Sequence, residues 1–196
     1  MKLDIILSGV GGQGILSIAT VIGEAAKNAG IYLKQAEVHG MSQRGGDVQS
    51  NLRLSTEAIC SDLIPMGAAD LIISMEPMEA LRYLPYLSKD GKIVTASKPF
   101  VNIPNYPDQD KMIAELKSLP YVTMMKIEEL AVEAASVKAA NMVLLGMAAP
   151  YLNILSTSQI KEAVKNIFRP KGESIMEGNL RAFEAGLKSV EGNETV

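Results

Sequence analysis

Gly9-Val10-Gly11-Gly12-Gln13-Gly14 is the stretch that decides how this chain is read. An apolar run, residues 3–7, leads into it, and a long apolar-periodic segment, residues 15–29, leaves it. The order is strand, tight glycine turn, helix. Gly9, Gly11 and Gly14 stand in the glycine places of G-x-G-x-x-G. Such glycines serve a backbone angle closed to side chains, the approach of an anion to the main chain, and close packing of helix on strand. The helix that follows leaves its first amide N–H groups unpaired and carries about half a positive charge at that end. Together these features make a site for phosphate or another anion. The alternative is a glycine-rich packing turn with no ligand, since the motif draws its weight from the strand–turn–helix context.

Working outward, the helix carries Ile15, Leu16, Ile18, Ala19, Ile22 and Ala26 on or near one face and ends at Lys27, Asn28 and Gly30. Residues 31–38 read as a second strand, completing a βαβ unit. Glu37 stands near its end, about 20 residues past the turn, where a dinucleotide-binding fold places the acid that binds ribose hydroxyls. It is otherwise a carboxylate that happens to end a strand. His39, Gly40, Met41, Ser42, Gln43, Arg44, Gly45, Gly46 and Asp47 follow as a polar, glycine-rich loop holding the chain's one histidine. Residues 48–54 alternate Val48, Ser50, Leu52 and Leu54 with polar Gln49, Asn51 and Arg53, a period-two strand with one polar face, placed antiparallel or at an edge. Ligands in open α/β sheets lie beyond the C-terminal strand ends. The two glycine loops leave such ends and can face one pocket.

Further strands are expected at 70–75, at 92–97 after an Asp90-Gly91 turn, and at 121–127. Helices are expected at 77–84, 108–119, 158–168 and 173–188, with a long helical segment at 128–151 interrupted or ended near Pro150. Residues 57–69 carry no clear pattern, residues 98–107 form a proline- and asparagine-rich loop, and residues 191–196 a polar tail. This alternation predicts one domain, residues 1–190, of α/β class: a three-layer, mostly parallel, Rossmann-like sheet flanked by helices.

Composition narrows the function. The chain has 196 residues, 47% of them hydrophobic, and a net charge of -3. A nucleic-acid binder shows a basic face or stripe, which this balance does not suggest. No apolar run approaches the roughly 20 residues that span a bilayer, and the first residues lead straight into a strand. A cytoplasmic protein without nucleic-acid or membrane partners is expected. The single cysteine, Cys60, cannot hold an iron–sulfur cluster, and one histidine makes a zinc site untenable, so no metal is assigned to this chain. Cys60 reads as a small hydrophobe.

No catalytic residue can be named from pattern. His39 suits a general base or a structural hydrogen bond. The Arg44 guanidinium suits a carboxylate or phosphate gripped by two parallel hydrogen bonds, or a loop or interface salt bridge. Two classes remain open: a nucleotide-dependent enzyme, and an accessory subunit that completes a partner's site.

The glycine turn taken with Glu37-Val38-His39-Gly40-Met41-Ser42-Gln43-Arg44-Gly45-Gly46 resembles the gamma-type subunits of the 2-oxoacid:ferredoxin oxidoreductases, in the form found in the small subunit of the indolepyruvate type. Relatives acting on pyruvate or branched 2-oxoacids tend to carry a Ser-Tyr-Gly-Pro-Glu-type loop before Arg-Gly, where this chain has His39 to Gln43. The resemblance extends to Asn141-Met142-Val143-Leu144-Leu145-Gly146. It implies a multisubunit enzyme that decarboxylates a 2-oxoacid on thiamine diphosphate, passes electrons through iron–sulfur clusters to ferredoxin, and forms an acyl-CoA. It further implies that a large (alpha) partner subunit holds thiamine diphosphate and the 4Fe–4S clusters, that this chain alone binds no cofactor, and that CoA is a co-substrate of the complex. Gly9, Gly11, Gly12, Gln13, Gly14, Glu37, His39, Gly40, Ser42, Gln43, Arg44, Gly45 and Gly46 would then lie in loops supporting or lining the active region. A free-standing Rossmann-type NAD- or nucleotide-binding enzyme and a non-catalytic scaffold subunit remain the alternatives.

Overall fold

β-Branched and leucine-rich runs become the strands of one six-stranded sheet, ordered β2-β3-β1-β4-β5-β6, in the computed structural model of the chain, which describes residues 1–39 and 45–191, His39 in its backbone only. The strands are β1 (Lys2–Val10), β2 (Tyr32–His39), β3 (Asp47–Ser55), β4 (Ala69–Ser74), β5 (Leu87–Ala96) and β6 (Val122–Met125). β1, β4, β5 and β6 pair in parallel, while β3 runs antiparallel to both β1 and β2. The helices are α1 (Ile15–Asn28), α2 (Pro77–Arg82), α3 (Gln109–Ser118), α4 (Ile127–Ala134), α5 (Ala140–Ala148), α6 (Thr157–Phe168) and α7 (Glu173–Glu191).

Alternation along the strands sets the layers. Leu3, Ile5 and Leu7 of β1, with Leu71, Ile73 and Val94, share a core with α1, α4, α5, α6 and α7. Ile6, Ile72 and Ile93 point to the other face and pack with Ala80 of α2 and Leu116 of α3. α5 is buried along its whole length, as an all-round apolar helix must be. It crosses α7 where both helices carry glycine: a Cβ on Gly146 would lie 2.0 Å from the Phe183 carbonyl oxygen, and one on Gly186 equally close to that of Val143. That crossing sets the height of α5, and so of Asn141 at its N-terminal end.

Four expectations are refined. β3 is antiparallel but interior, between β2 and β1, so the β1–α1–β2 unit does not join adjacent strands. The polar face of β3 is not open to water: residues 57–68 cover it, with Asn51 Oδ1 accepting from the Ile64 amide at 3.2 Å and Arg53 Nη1 donating to the Ser61 and Leu63 carbonyls at 3.1 and 2.9 Å. Asp90-Gly91 is not a turn before a strand. It lies within β5, where the register against β4 shifts, and buried Gly91 sits close to the Ala69 carbonyl. The long helical segment breaks at Ala135 and Ser136 rather than only near Pro150. Ser136 is fully extended there, and the two halves bend by 120°. No single helix among the described residues is long and apolar enough to cross a membrane.

Candidate functional site at the C-terminal ends of the strands

The Gly9–Gly14 turn caps β1 and opens α1. Gly9 is still in the strand, packed against Gln13, Ile15 and Met75. Gln13 folds back on the turn. Its Oε1 accepts from the Val10 amide at 2.7 Å and its Nε2 donates to the Met75 carbonyl at 3.4 Å, tying the end of β1 to the end of β4. Gly14 caps α1 in the left-handed region, at φ 85°, where a side chain is strained. A Cβ there would also lie 2.6 Å from Asn141 Nδ2, which donates to the Gly14 carbonyl at 3.1 Å. No side chain among the described residues caps α1, and its first turn carries no acid. Its leading amides are therefore available to an anion.

A cavity of about 450 Å³ opens here, lined by Val10, Gly11, Gly12, Gly14, Ile15, Leu16, Glu37 and Val48. It brings Glu37 of β2 together with the glycine turn, although β3 lies between their strands.

The second glycine loop joins the first through its backbone. The Gly11 amide donates to the Gly46 carbonyl at 2.8 Å and the Gly45 amide to the Gly11 carbonyl at 3.3 Å, continuing the β1–β3 ladder past its last strand pair. His39 ends β2 opposite Val48. Gly40, Ser42, Gln43 and Arg44 lie outside the described residues.

Pattern reading did not single out a third loop, the β5–α3 connection. Asn102 Nδ2 donates to the Gly45 carbonyl at 2.8 Å. The same connection is anchored on Glu76, which is fully buried just beyond β4. Glu76 Oε1 accepts from the Phe100 amide at 3.1 Å and from the Tyr106 hydroxyl, and Oε2 accepts from the Glu79 amide at 3.0 Å. Beside it, Glu79 is bridged by Arg82 at 2.8 Å, and the Tyr83 hydroxyl reaches Asp47 at 3.5 Å. Burial raises the Glu79 carboxyl above the ordinary range. Arg82 only partly opposes this, and the charges of Glu76 and Asp47 add to it. The Tyr106 hydroxyl is also pushed up, by burial and then by the carboxylate it donates to, so it remains a donor. The signal that could have found Glu76 was its place before Pro77, as the cap of α2. Asn102 gave no local signal, and Asn141 stood out only within the segment 141–146 that shares the resemblance, without a role, because each acts on a loop far away in sequence.

A sequence model of the pyruvate ferredoxin/flavodoxin oxidoreductase family matches residues 4–189. The chain belongs to that family. The indolepyruvate oxidoreductase subunit IorB of Thermococcus kodakarensis is 39% identical over 197 residues, 96% of each chain. The gamma subunit of keto/oxoacid ferredoxin oxidoreductase from Geobacter sulfurreducens PCA shares the fold with a TM-score of 0.72 at 23% identity, over 97% of this chain and 99% of that one. The 2-oxoglutarate:ferredoxin oxidoreductase of Magnetococcus marinus, solved with 2-oxoglutarate, coenzyme A and succinyl-CoA bound, gives a TM-score of 0.75 at 23% identity, over 99% of this chain and 32% of that one. In this member of the oxidoreductase family, the two glycine loops that carry the resemblance are the two loops joined at Gly11.

Proposed function

We propose that the chain is the small subunit of a ferredoxin-dependent indolepyruvate or arylpyruvate oxidoreductase. The complex would convert a 2-oxoacid and CoA to acyl-CoA and carbon dioxide, with the electrons leaving to ferredoxin. The observation that carries the reading is the 39% identity to an indolepyruvate oxidoreductase subunit over 96% of both chains. Thiamine diphosphate supplies the carbanion-stabilising chemistry and iron–sulfur clusters the electron path when bound. A cluster takes about four ligands, and this chain has one cysteine. Cys60 does not pack as the small hydrophobe its sequence context suggests: it is exposed and lines a cavity with Met1, Lys2 and Asp4, at the opposite end of β1 from the glycine turn. The single cysteine supports placing the clusters on a large partner subunit, and the family resemblance places thiamine diphosphate there with them. This chain contributes the uncapped α1 terminus and the glycine cavity, whose backbone N–H groups suit a phosphate or carboxylate of CoA or substrate at the shared active region. The placement of Glu37 counts against a free-standing NAD enzyme. In a dinucleotide fold that acid sits on the strand beside β1. Here it sits one strand further out, a displacement of about 5 Å.

The test is reconstitution with the large partner. The complex is expected to reduce ferredoxin or a dye only when indolepyruvate and CoA are both present, and the isolated chain to show no such activity. Micromolar binding of NAD or NADP to the isolated chain, with no gain from the partner, would instead favour the dehydrogenase.

A further inference from the structure

The β5–α3 connection, residues 97–108, has an unusual attachment. It contains no regular element, yet beyond the Ser97 amide's bond to the Met125 carbonyl at 2.8 Å it is fixed at three more points. The Phe100 amide and the Tyr106 hydroxyl both donate to one oxygen of the Glu76 carboxylate, and between them Asn102 reaches across to the Gly45 carbonyl. Glu76 is at 0% exposure, and among the described residues no cation bonds to it. Burying a carboxylate is costly unless it is well hydrogen-bonded, so its three donors are held strongly. Asn102 Oδ1 is buried and finds no donor among the described residues. The amide's hold on the loop is therefore the single bond to Gly45. Gly45 in turn donates to Gly11, the middle of the first glycine turn. A continuous chain of hydrogen bonds thus runs from a buried carboxylate, through an irregular connection, to both glycine loops. A carboxylate placed only to cap α2 would need the Glu79 amide alone.

We propose that Glu76, Tyr106 and Asn102 are positioning residues. They hold the Gly45–Gly46 segment, and through it the Gly9–Gly14 turn, in the placement that the reaction of the complex requires. This rests on the reading of the glycine face as part of the active region. Loosening the strap does not remove any group that touches substrate. It lowers the fraction of molecules whose loops are correctly placed, and an apparent binding constant rises by the inverse of that fraction.

The experiment uses the full chain in complex with its large partner, as wild type and with Tyr106→Phe or Asn102→Ala. Each variant removes one bond of the strap and leaves the sheet and cavity lining intact. Hydrogen exchange at the Gly11 and Gly45 amides is expected to speed up about five- to tenfold, the loss of one ordinary hydrogen bond, while exchange in β4 and α5 stays unchanged. The KM for CoA or for the 2-oxoacid is expected to rise as well, by the inverse of the correctly placed fraction rather than by the factor seen in exchange, with kcat at saturation within about twofold. Arg44→Ala in the same complex separates the two ideas. If Arg44→Ala impairs turnover while both strap variants leave exchange and KM at wild-type values, the strap is not a positioning device. A strap variant that speeds exchange throughout the sheet is also a contradiction, because it marks a general structural role. If exchange at Gly11 and Gly45 quickens but neither the strap variants nor Arg44→Ala alters kinetics, the active-region reading of the loops fails, and the positioning proposal with it.

Discussion

At the N-terminal end of β1 the buried Asp4 carboxylate is held by cations, while at the C-terminal end of β4 the buried Glu76 carboxylate is held by neutral donors. Asp4, at 0% exposure, accepts from Arg53 Nε at 2.8 Å, Arg53 Nη2 at 3.0 Å and Lys2 Nζ at 2.7 Å, and its own amide donates to Asp70 at 2.8 Å. Glu76 has two backbone amides and a phenol. The first arrangement locks neighbouring strands, because Asp4 and Arg53 face each other across the β1–β3 ladder. The second gathers connections, because its donors come from α2 and from the β5–α3 loop. On the proposed function, the contrast separates a scaffold end from a working end, though both bury charge.

The titration of the two ends follows the same division. Burial by itself would raise the Asp4 carboxyl, but the bonds from Arg53 and Lys2 outweigh it and hold Asp4 below the ordinary range. Its ionised form therefore stabilises the fold above the unfolded value of about 3.9, and that contribution is lost as pH falls through the lower folded value. Glu79 at the working end has the opposite sign. Its raised pKa means that its ionised form costs stability above the folded value, and the cost fades as pH falls toward the unfolded value of about 4.3.

The largest effect is expected from breaking the scaffold end. Arg53→Ala leaves a fully buried carboxylate with only Lys2, itself half-exposed, and should cost about 3–5 kcal/mol. A melting temperature lower by roughly 6–20 °C is expected. The part of the acid loss that belongs to Asp4, below its unfolded value of about 3.9, should also shrink, because burial then raises the carboxyl with only Lys2 opposing it; melts across a pH series would show this. The complex should keep its turnover at temperatures where this variant is folded.

Gly14→Ala tests the working end and is expected to cost less. Its backbone strain and the displacement of Asn141 together amount to about 1–3 kcal/mol. Turnover of the complex should fall further than this stability loss explains, read by comparing melts with steady-state rates. Glu79→Gln sharpens the sign of the titration: stability measured across pH 4–7 should decline less on raising pH than in wild type, because the ionisation that costs stability is gone. The smallest effect is expected at Cys60, which is exposed at the scaffold end. Cys60→Ser should shift stability by no more than about 0.5 kcal/mol and leave turnover unchanged.

The features legible in the sequence were those that local chemistry dictates. The Gly9–Gly14 turn, the buried β4 run and the amphipathic α6 and α7 are written in residue type and period, whereas the alternation of β3 left an antiparallel strand and an edge strand both open. Neighbours are not written in this way. The alternation of residues 48–54 reveals two unlike faces but not that residues 57–68 cover the polar one, nor that β3 lies inside the sheet. Asp90-Gly91 carries the composition of a turn, yet tertiary pairing keeps both residues in β5. The break at Ala135 and Ser136 has neither proline nor glycine to announce it. At the candidate site the glycine loops were visible because they are contiguous. The bonds that assemble them, Asn102 to Gly45, Tyr106 to Glu76 and Asn141 to Gly14, join residues far apart in the chain, and each asparagine looks like an ordinary loop or helix residue until the fold brings it there.

The claim that the glycine face works in the shared active region is tested most directly at Arg44. The chain carrying Arg44→Lys is combined with its wild-type large partner, and indolepyruvate- and CoA-dependent dye reduction is measured beside the melting curve of the isolated variant. Lysine keeps the charge but loses the planar fork that grips a carboxylate or phosphate at two points. The prediction is a fall in turnover or apparent affinity of about tenfold or more, with an unchanged melting temperature. Wild-type kinetics in that complex would contradict the account.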